Sequence, residues 1–391
     1  MIIAPARPND PASIYIHIPF CAHICPYCDF TTYAGKELLI PRYVTSVVAE
    51  LEQRREALAG RPVHSIFFGG GTPSLLEGDQ VGSMLNAVRQ NYALSDDAEI
   101  SLEANPNGLA RERLSAYRSA GINRLSLGAQ TLDRRGLRTL GRQHESTDVL
   151  DAVRLARDAG FTQISLDLIF AWPGQTLERW ESDLAQIVAL EPALITHLSL
   201  YSLIIEPGTP FADAEARGIL SIPDDDASAE LYETAITRLD AAGWFHYEVA
   251  NWTTDSGDAS RHNIQYWRNG DFLGIGAGAH GTIAGHRTMN HLLPETYCRA
   301  IEADQPAFSN EEIITDRIAE AETMMLGLRL LEHGVSRNAF QQRHGRSMED
   351  AFGSTIPDFV KNGLIVDEDD QIRLTHQGLM LANDVASAFL P

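Results

Sequence analysis

Alternating apolar and polar positions give the first readable element. In SIYIHIPF (13–20), Ile14, Ile16 and Ile18 alternate with Tyr15 and His17, the period-two pattern of a strand. Similar strand patterns recur as VHSIFF (63–68), AEISLE (98–103), NRLSLGA (123–129), QISLDLIF (163–170) and THLSLYS (196–202). Helical patterns lie between them, at about 36–58, 79–92, 108–119, 147–159 and 176–190. Strands alternating with helices predict βαβ units on a parallel sheet. At least six units fit into about 200 residues, so the expected class is α/β: a partial (β/α)6 barrel of TIM type, with a full eight-unit barrel as the alternative.

Further along, SIPDDDA (221–227) reads as a loop entering a helix, FHYEVANW (245–252) as a strand, and GIGAGAHG (274–281) as a glycine-rich turn. The character changes near 309. Segments 311–332, 336–344 and 347–363 read as helices, QIRLT (371–375) as a short strand, and HQGLMLANDVASAFL as a closing helix. That order suggests a small, mainly helical, winged-helix-like module. The expected division is a short tail at 1–12, the barrel at 13–250, a connecting segment at 251–308 and the C-terminal module at 309–391.

Composition narrows the function classes. The 391 residues suit one barrel plus a module, and 44% hydrophobic with 21% charged residues excludes disorder, collagen and coiled coil for the chain as a whole. A net charge of −22 opposes general nucleic-acid binding, so no nucleic-acid partner is expected. No apolar run approaches the roughly 20 residues of a membrane helix. The N-terminal MIIAPARPNDP is too short in apolar residues for a signal peptide, which predicts a cytoplasmic chain and leaves peripheral membrane contact open.

The chemistry starts with the cysteines. Of four, Cys21, Cys25 and Cys28 fall within eight residues and Cys298 stands apart. A cubane iron–sulfur cluster normally takes four thiolates. Three from the protein leave one iron open to a small molecule, as catalytic zinc sites leave one position open. Cys298, in PETYCRAIE, is a formal fourth candidate but reads as a buried thiol on a helix. Structural zinc on the three cysteines with His17 or His23 is the other alternative, although no second ligand pair accompanies it. The other unusual residues, Gly69–Pro73, Glu103–Pro106, Gln130 and Asp167, fall at or just past C-terminal strand ends. Ligands of parallel α/β proteins bind at that rim.

The string IYIHIPFCAHICPYCDF, with its x3–x2 cysteine spacing after a first strand, resembles the radical S-adenosylmethionine (SAM) superfamily. Within it, the sequence is similar to the HemN/HemW branch, which holds oxygen-independent coproporphyrinogen III dehydrogenase and a haem chaperone, over about 13–390. The resemblance implies a [4Fe–4S] cluster on Cys21, Cys25 and Cys28. It implies SAM contacts from Tyr15 and Tyr27, from Gly70, Gly71 and Thr72 of FFGGGTPS, and from Glu103 of SLEANP. Gln130, Arg142, Asp167 and Ile204 complete that set. The glycines would expose N–H donors to SAM, and Arg142 would pair with its carboxylate. Taken singly, the glycines read as a tight turn, Glu103 as a cap or surface acid, Arg142 as a surface ion pair and Tyr15 as a barrel-facing strand residue. DLIFAWPGQT (167–176) departs from the branch's pattern at Ala171-Trp172, where Gly-Leu is the common filling.

Within the branch, the chaperone side fits better. Phe30 stands where the dehydrogenase carries a further cysteine, and fewer residues precede the first strand. His262, Asn263, Tyr266 and Trp267 spell HNxxYW, which resembles a haem-associated signature; imidazole can ligate haem iron, and aromatic rings can pack on the macrocycle. His17 and His280 are alternative ligands, and a buried core histidine is the bland account of His262. The expectation is therefore a haem chaperone that binds a [4Fe–4S] cluster, SAM and haem. It would cleave SAM reductively with electrons from a reductase or flavodoxin-type donor, and deliver haem to acceptor haemoproteins such as respiratory enzymes. A homodimer is left open. The alternative is oxidative decarboxylation of coproporphyrinogen III to protoporphyrinogen IX. A DNA-binding regulator using the C-terminal module is a third account, opposed by the charge.

Overall fold

Six parallel strands carry the molecule: β1 (Ala12–Ile18), β2 (Pro62–Gly70), β3 (Ala93–Ala104), β4 (Arg124–Gln130), β5 (Gln163–Phe170) and β6 (His197–Ser202). Each pairs with the one before it. The computed structural model describes residues 10–190 and 194–391, so most of the expected N-terminal tail lies outside the described residues. Helices α1 (Ile40–Gln53), α2 (Gly78–Asn91), α3 (Arg111–Ala120), α4 (Ser146–Asp158) and α5 (Leu177–Val188) return the chain between strands. Ile14, Ile16 and Ile18 are fully buried in one core with Tyr43 and Val47 of α1, which is why the first strand alternates.

The sheet stays open, as a partial barrel requires, and contains twelve strands. After α6 (Asp225–Ala241), the expected strand 245–252 breaks into a hairpin, β7 (Phe245–Glu248) and β8 (Asn251–Thr253), with β8 antiparallel to β6. The segment 251–308 is not a connector. After α7 (Arg261–Trp267), β9 (Phe272–Ile275) pairs parallel with β1, and β10 (His280–Ile283), β11 (His286–Asn290) and β12 (Phe308–Ile313) extend the sheet antiparallel. The physical reason is the unpaired edge that β1 would otherwise present. Residues 311–313, expected in a helix, end β12. Helix α8 (Pro294–Glu302) packs on α1 and buries Cys298 in the main core.

The inner face of the sheet is polar. Ser13, Ser65, Ser101, Ser126, Ser165 and Ser199 come one from each of β1–β6, at positions alternating with core residues. At the N-terminal end of the strands, α7 plugs the barrel. The Glu99 carboxylate accepts the backbone N–H groups of Arg261 (3.1 Å) and His262 (3.0 Å), and Arg124 lies 3.5 Å from it. A buried anion thus meets the positive end of a helix and a cation together.

The C-terminal module has its own core around Met324, Phe340, Ile372 and Phe389. Helix α9 (Asp316–Gly327) and three short helices surround β13 (Val335–Ser336), β14 (Ile365–Glu368) and β15 (Gln371–Leu374), with β15 in the middle. The expected closing helix is two, His376–Met380 and Ala382–Ser387, interrupted at Leu381. Among the described residues, no helix is long and apolar enough to cross a membrane.

Candidate functional site

A cavity of about 430 Å³ opens at the C-terminal rim. The cysteine loop forms one wall and the ends of β2–β6 form the rest. Cys21, Cys25, Cys28, Tyr27, Gly70, Gly71, Thr72, Glu103, Gln130, Arg142, Asp167 and Ile204 all line it, so the structure brings together every residue expected for cluster and SAM except Tyr15. The Tyr15 hydroxyl bonds His17 Nδ1 at 2.9 Å, while His17 Nε2 meets the Thr31 carbonyl at 2.9 Å. Since a carbonyl only accepts, Nε2 carries the proton and Tyr15 donates to Nδ1. Tyr15 therefore reaches the cysteine loop through His17.

Cys21 is buried, and Cys25 and Cys28 are partly buried. Burial raises the thiol pKa of Cys21 and of Cys28, so thiolates become favourable there only against a bound cation. Thr72 Oγ1 donates to Cys21 Sγ and Arg142 Nη1 to Cys25 Sγ, each at 3.5 Å. Among the described residues, no three His, Cys, Asp or Glu side chains converge on a single-ion position. Thiols spread along a cavity wall suit the separate corners of a cluster better than one zinc ion. Cys298 is fully buried in α8, packed in the core with Tyr297, and does not line the cavity.

The glycine run behaves differently from expectation. Gly70 N–H donates to Glu103 Oε2 (3.1 Å), Gly71 N–H to the Ile18 carbonyl (2.8 Å) and Thr72 N–H to the Phe20 carbonyl (2.8 Å). These donors are not free for a ligand. The glycines are required by close approach: Gly70 has φ +109, and a Cβ there would lie 2.3 Å from the His17 ring; at Gly71 it would lie 2.6 Å from the Phe20 carbonyl.

Opposite the cysteines, Glu103 and Asp167 are half-buried carboxylates that face the cavity. Desolvation, then the Asp167 charge, pushes Glu103 up to about 8, so it is largely protonated at neutral pH. Asp167 accepts from Ser126 (2.7 Å) and Ser165 (3.3 Å), yet burial still raises it. It sits within β5, not at the strand's end, and projects from the polar inner face. Gln130 ends β4 at φ +65 next to a register shift, a strained conformation of the kind found at functional sites. Arg142 donates Nη2 to Asn105 Oδ1 (2.6 Å) and to the Gly128 carbonyl (2.9 Å), and its buried Nε has no partner. An unpaired guanidinium N–H in this wall suits a carboxylate. Ala171 follows β5 at φ +59, which accounts for glycine as the commoner residue there.

Sequence reasoning missed Thr32 and Tyr201 in the lining, gave Asn105 no role of its own within Glu103–Pro106, and did not see that Ile24 and Phe30 join Ile204 in an apolar mouth, where Phe30 is 66% and Ile204 64% exposed. The period-two register of β6 was the available signal for Tyr201, since it shares a face with His197 and Ser199.

HNxxYW lies on α7, at the opposite end of the strands. His262 is 1% exposed, with Nδ1 bonded to Ser65 Oγ (3.0 Å) and Nε2 to Tyr266 Oη (2.9 Å). Its ring stacks on Phe67 at 5.1 Å, and burial lowers its pKa to about 3. Both nitrogens are engaged, so iron ligation there requires one bond to break and the plug to open. Asn263 and Trp267 are partly exposed, and Arg329 lies 4.2 Å over the Trp267 ring, joining α7 to α9's end. His17 is likewise sealed, whereas His280 is exposed at the start of β10.

The profile of the Radical SAM superfamily matches residues 15–187, and that of the HemN C-terminal domain matches 316–381. The chain is 39% identical over 381 residues to the heme chaperone HemW of Bacillus subtilis, covering 97% of this chain and 99% of that one. It is 35% identical over 388 residues to the heme chaperone HemW of Escherichia coli, covering 97% and 98%. Among solved structures, coproporphyrinogen III oxidase (HemN) from Escherichia coli superposes with a TM-score of 0.82 at 22% identity, over 98% of this chain and 90% of that one, which is a likeness of fold. The cysteine loop, the open parallel sheet and the full-length likeness to these relatives lead to one conclusion: this chain belongs to the HemW family of radical SAM proteins.

Proposed function

We propose that this chain is a haem chaperone of the radical SAM type, binding a [4Fe–4S] cluster, SAM and haem and passing haem to acceptor haemoproteins. The near-full-length likeness to proteins named heme chaperone HemW carries this conclusion. The rim cavity supports it. Cys21, Cys25 and Cys28 would hold three corners of the cluster, which supplies an electron and one open iron for SAM. Arg142, with its unpartnered Nε, would take the methionine carboxylate, and Thr72 would hold Cys21 in place beside it. Largely protonated Glu103 can donate as well as accept, and Asp167 accepts, so the pair suits ribose hydroxyls. Gln130, Gly70, Gly71 and Tyr27 shape the floor and Ile204 the mouth, while Tyr15 braces the loop through His17.

For haem, the HNxxYW segment offers Asn263, Tyr266 and Trp267, each partly exposed, with His262 available once α7 loosens. The acceptors are haemoproteins, respiratory enzymes among them, the electron donor is a reductase or flavodoxin, and the setting is the cytoplasm.

The test is a paired anaerobic assay on cluster-reconstituted protein. One sample receives coproporphyrinogen III, SAM and a reductant, and the other receives haem. Stoichiometric haem uptake without protoporphyrin formation is expected. Protoporphyrin formation would overturn the proposal in favour of a decarboxylating enzyme.

A further inference from the structure

Thr72 touches Cys21 and Arg142 touches Cys25, and both of those side chains end on the same amide. Asn105 Nδ2 donates to Thr72 Oγ1 at 3.3 Å, and Thr72 Oγ1 donates to Cys21 Sγ at 3.5 Å. On the other side, Arg142 Nη2 donates to Asn105 Oδ1 at 2.6 Å, and Arg142 Nη1 donates to Cys25 Sγ at 3.5 Å. Asn105 itself is anchored, its backbone N–H meeting Ser74 Oγ at 3.4 Å in the turn after the glycine run. We propose that Asn105 is a positioning residue that aims Thr72 and Arg142 at the sulfurs of Cys21 and Cys25 and thereby sets the reduction potential of the cluster. The inference rests on the cluster assignment made above.

The chemistry selects an amide. Thr72 has one hydroxyl proton, and spending it on Cys21 leaves its oxygen in need of a donor, which Nδ2 supplies. Arg142 has donors only and needs an acceptor to fix its plane, which Oδ1 supplies. A carboxylate of the same size satisfies Arg142 but offers Thr72 no donor, so the hydroxyl turns toward the carboxylate and away from Cys21. Hydrogen bonds to cluster sulfurs stabilise the reduced, more negative cluster and so raise its potential. Losing one or both makes the cluster harder to reduce.

The experiment compares wild type, Asn105→Asp and Asn105→Ala as full-length, anaerobically reconstituted proteins. Iron and sulfide per chain, the midpoint potential by redox titration followed by EPR, and the urea unfolding midpoint are measured on each. Midpoint potentials more negative than wild type in both variants, at unchanged unfolding midpoints, are expected. Asn105→Asp keeps the size and the Arg142 bond, so it separates the relay from packing. Potentials equal to wild type in both would overturn the proposal, as would cluster loss that follows a lowered unfolding midpoint; cluster loss at an unchanged midpoint would support it. A wild-type chain that takes up no [4Fe–4S] cluster would instead overturn the underlying assignment.

Discussion

Replacing His262 by alanine separates two roles for one imidazole. As a ligand, it would matter to haem and little to the fold; as the bridge seen here, it matters to the fold first. The bridge joins Ser65 of β2 to Tyr266 of α7, with the ring stacked on Phe67. Each hydrogen bond contributes about 1 kcal/mol net, and a buried hydroxyl left unpaired costs about 1–3 kcal/mol. Ser65 keeps its bond to Ser13 at 2.6 Å, so Tyr266 bears most of that cost. With the void left between Phe67 and Tyr266, His262→Ala should destabilise the fold by about 3–4 kcal/mol, and His262→Gln by less. Urea unfolding of the cluster-free chain measures this, with a haem absorbance titration on the same preparations. An alanine variant that unfolds like wild type yet no longer binds haem would refute the argument and make His262 the iron ligand.

Other outcomes follow from the same geometry. Changing Cys21, Cys25 or Cys28 singly to alanine should abolish cluster incorporation, while Cys298→Ala should leave iron and sulfide content intact. Ala171→Gly should leave stability within about 0.5 kcal/mol of wild type in thermal or urea unfolding, because relief of the left-handed backbone at φ +59 is offset by the entropy glycine loses and by the buried methyl removed. Acid should destabilise the fold early. His262 is lowered to about 3, and His64, His144, His246 and His344 to about 4, in each case chiefly by burial. These rings stay neutral in the fold but take a proton when unfolded below about 6.5, so each removes about 1.4 kcal/mol per pH unit as pH falls from 6.5 toward 4. Unfolding midpoints across that window check the slope.

The six parallel strands were legible because their outward residues alternate so regularly, Ile14, Ile16 and Ile18 being the plainest case. What the alternation also held, and composition hid, is the inner face, where a serine from each strand builds a polar interior. That is why Asp167, although inside the expected strand 163–170, was grouped with the strand-end residues instead of the inner face. The strands after 270 were obscured because they are short and polar: five of six residues in β12 are exposed, and only pairing with β11 makes it a strand. Motifs named twelve of the 25 residues that line the cavity, since the rim of a parallel sheet collects what the strand ends carry. They could not show the direction of a donor, as the glycine N–H groups prove, nor which end of the barrel a helix closes, as α7 does.

The most direct test of the central claim is haem transfer itself. Reconstituted, haem-loaded protein is mixed with an apo-haemoprotein acceptor in the presence of excess apomyoglobin, which scavenges released haem. Gain of acceptor activity despite the scavenger, lost in cluster-free Cys25→Ala protein, is the predicted result. Haem appearing only in apomyoglobin, at the same rate with and without the cluster, would contradict the account.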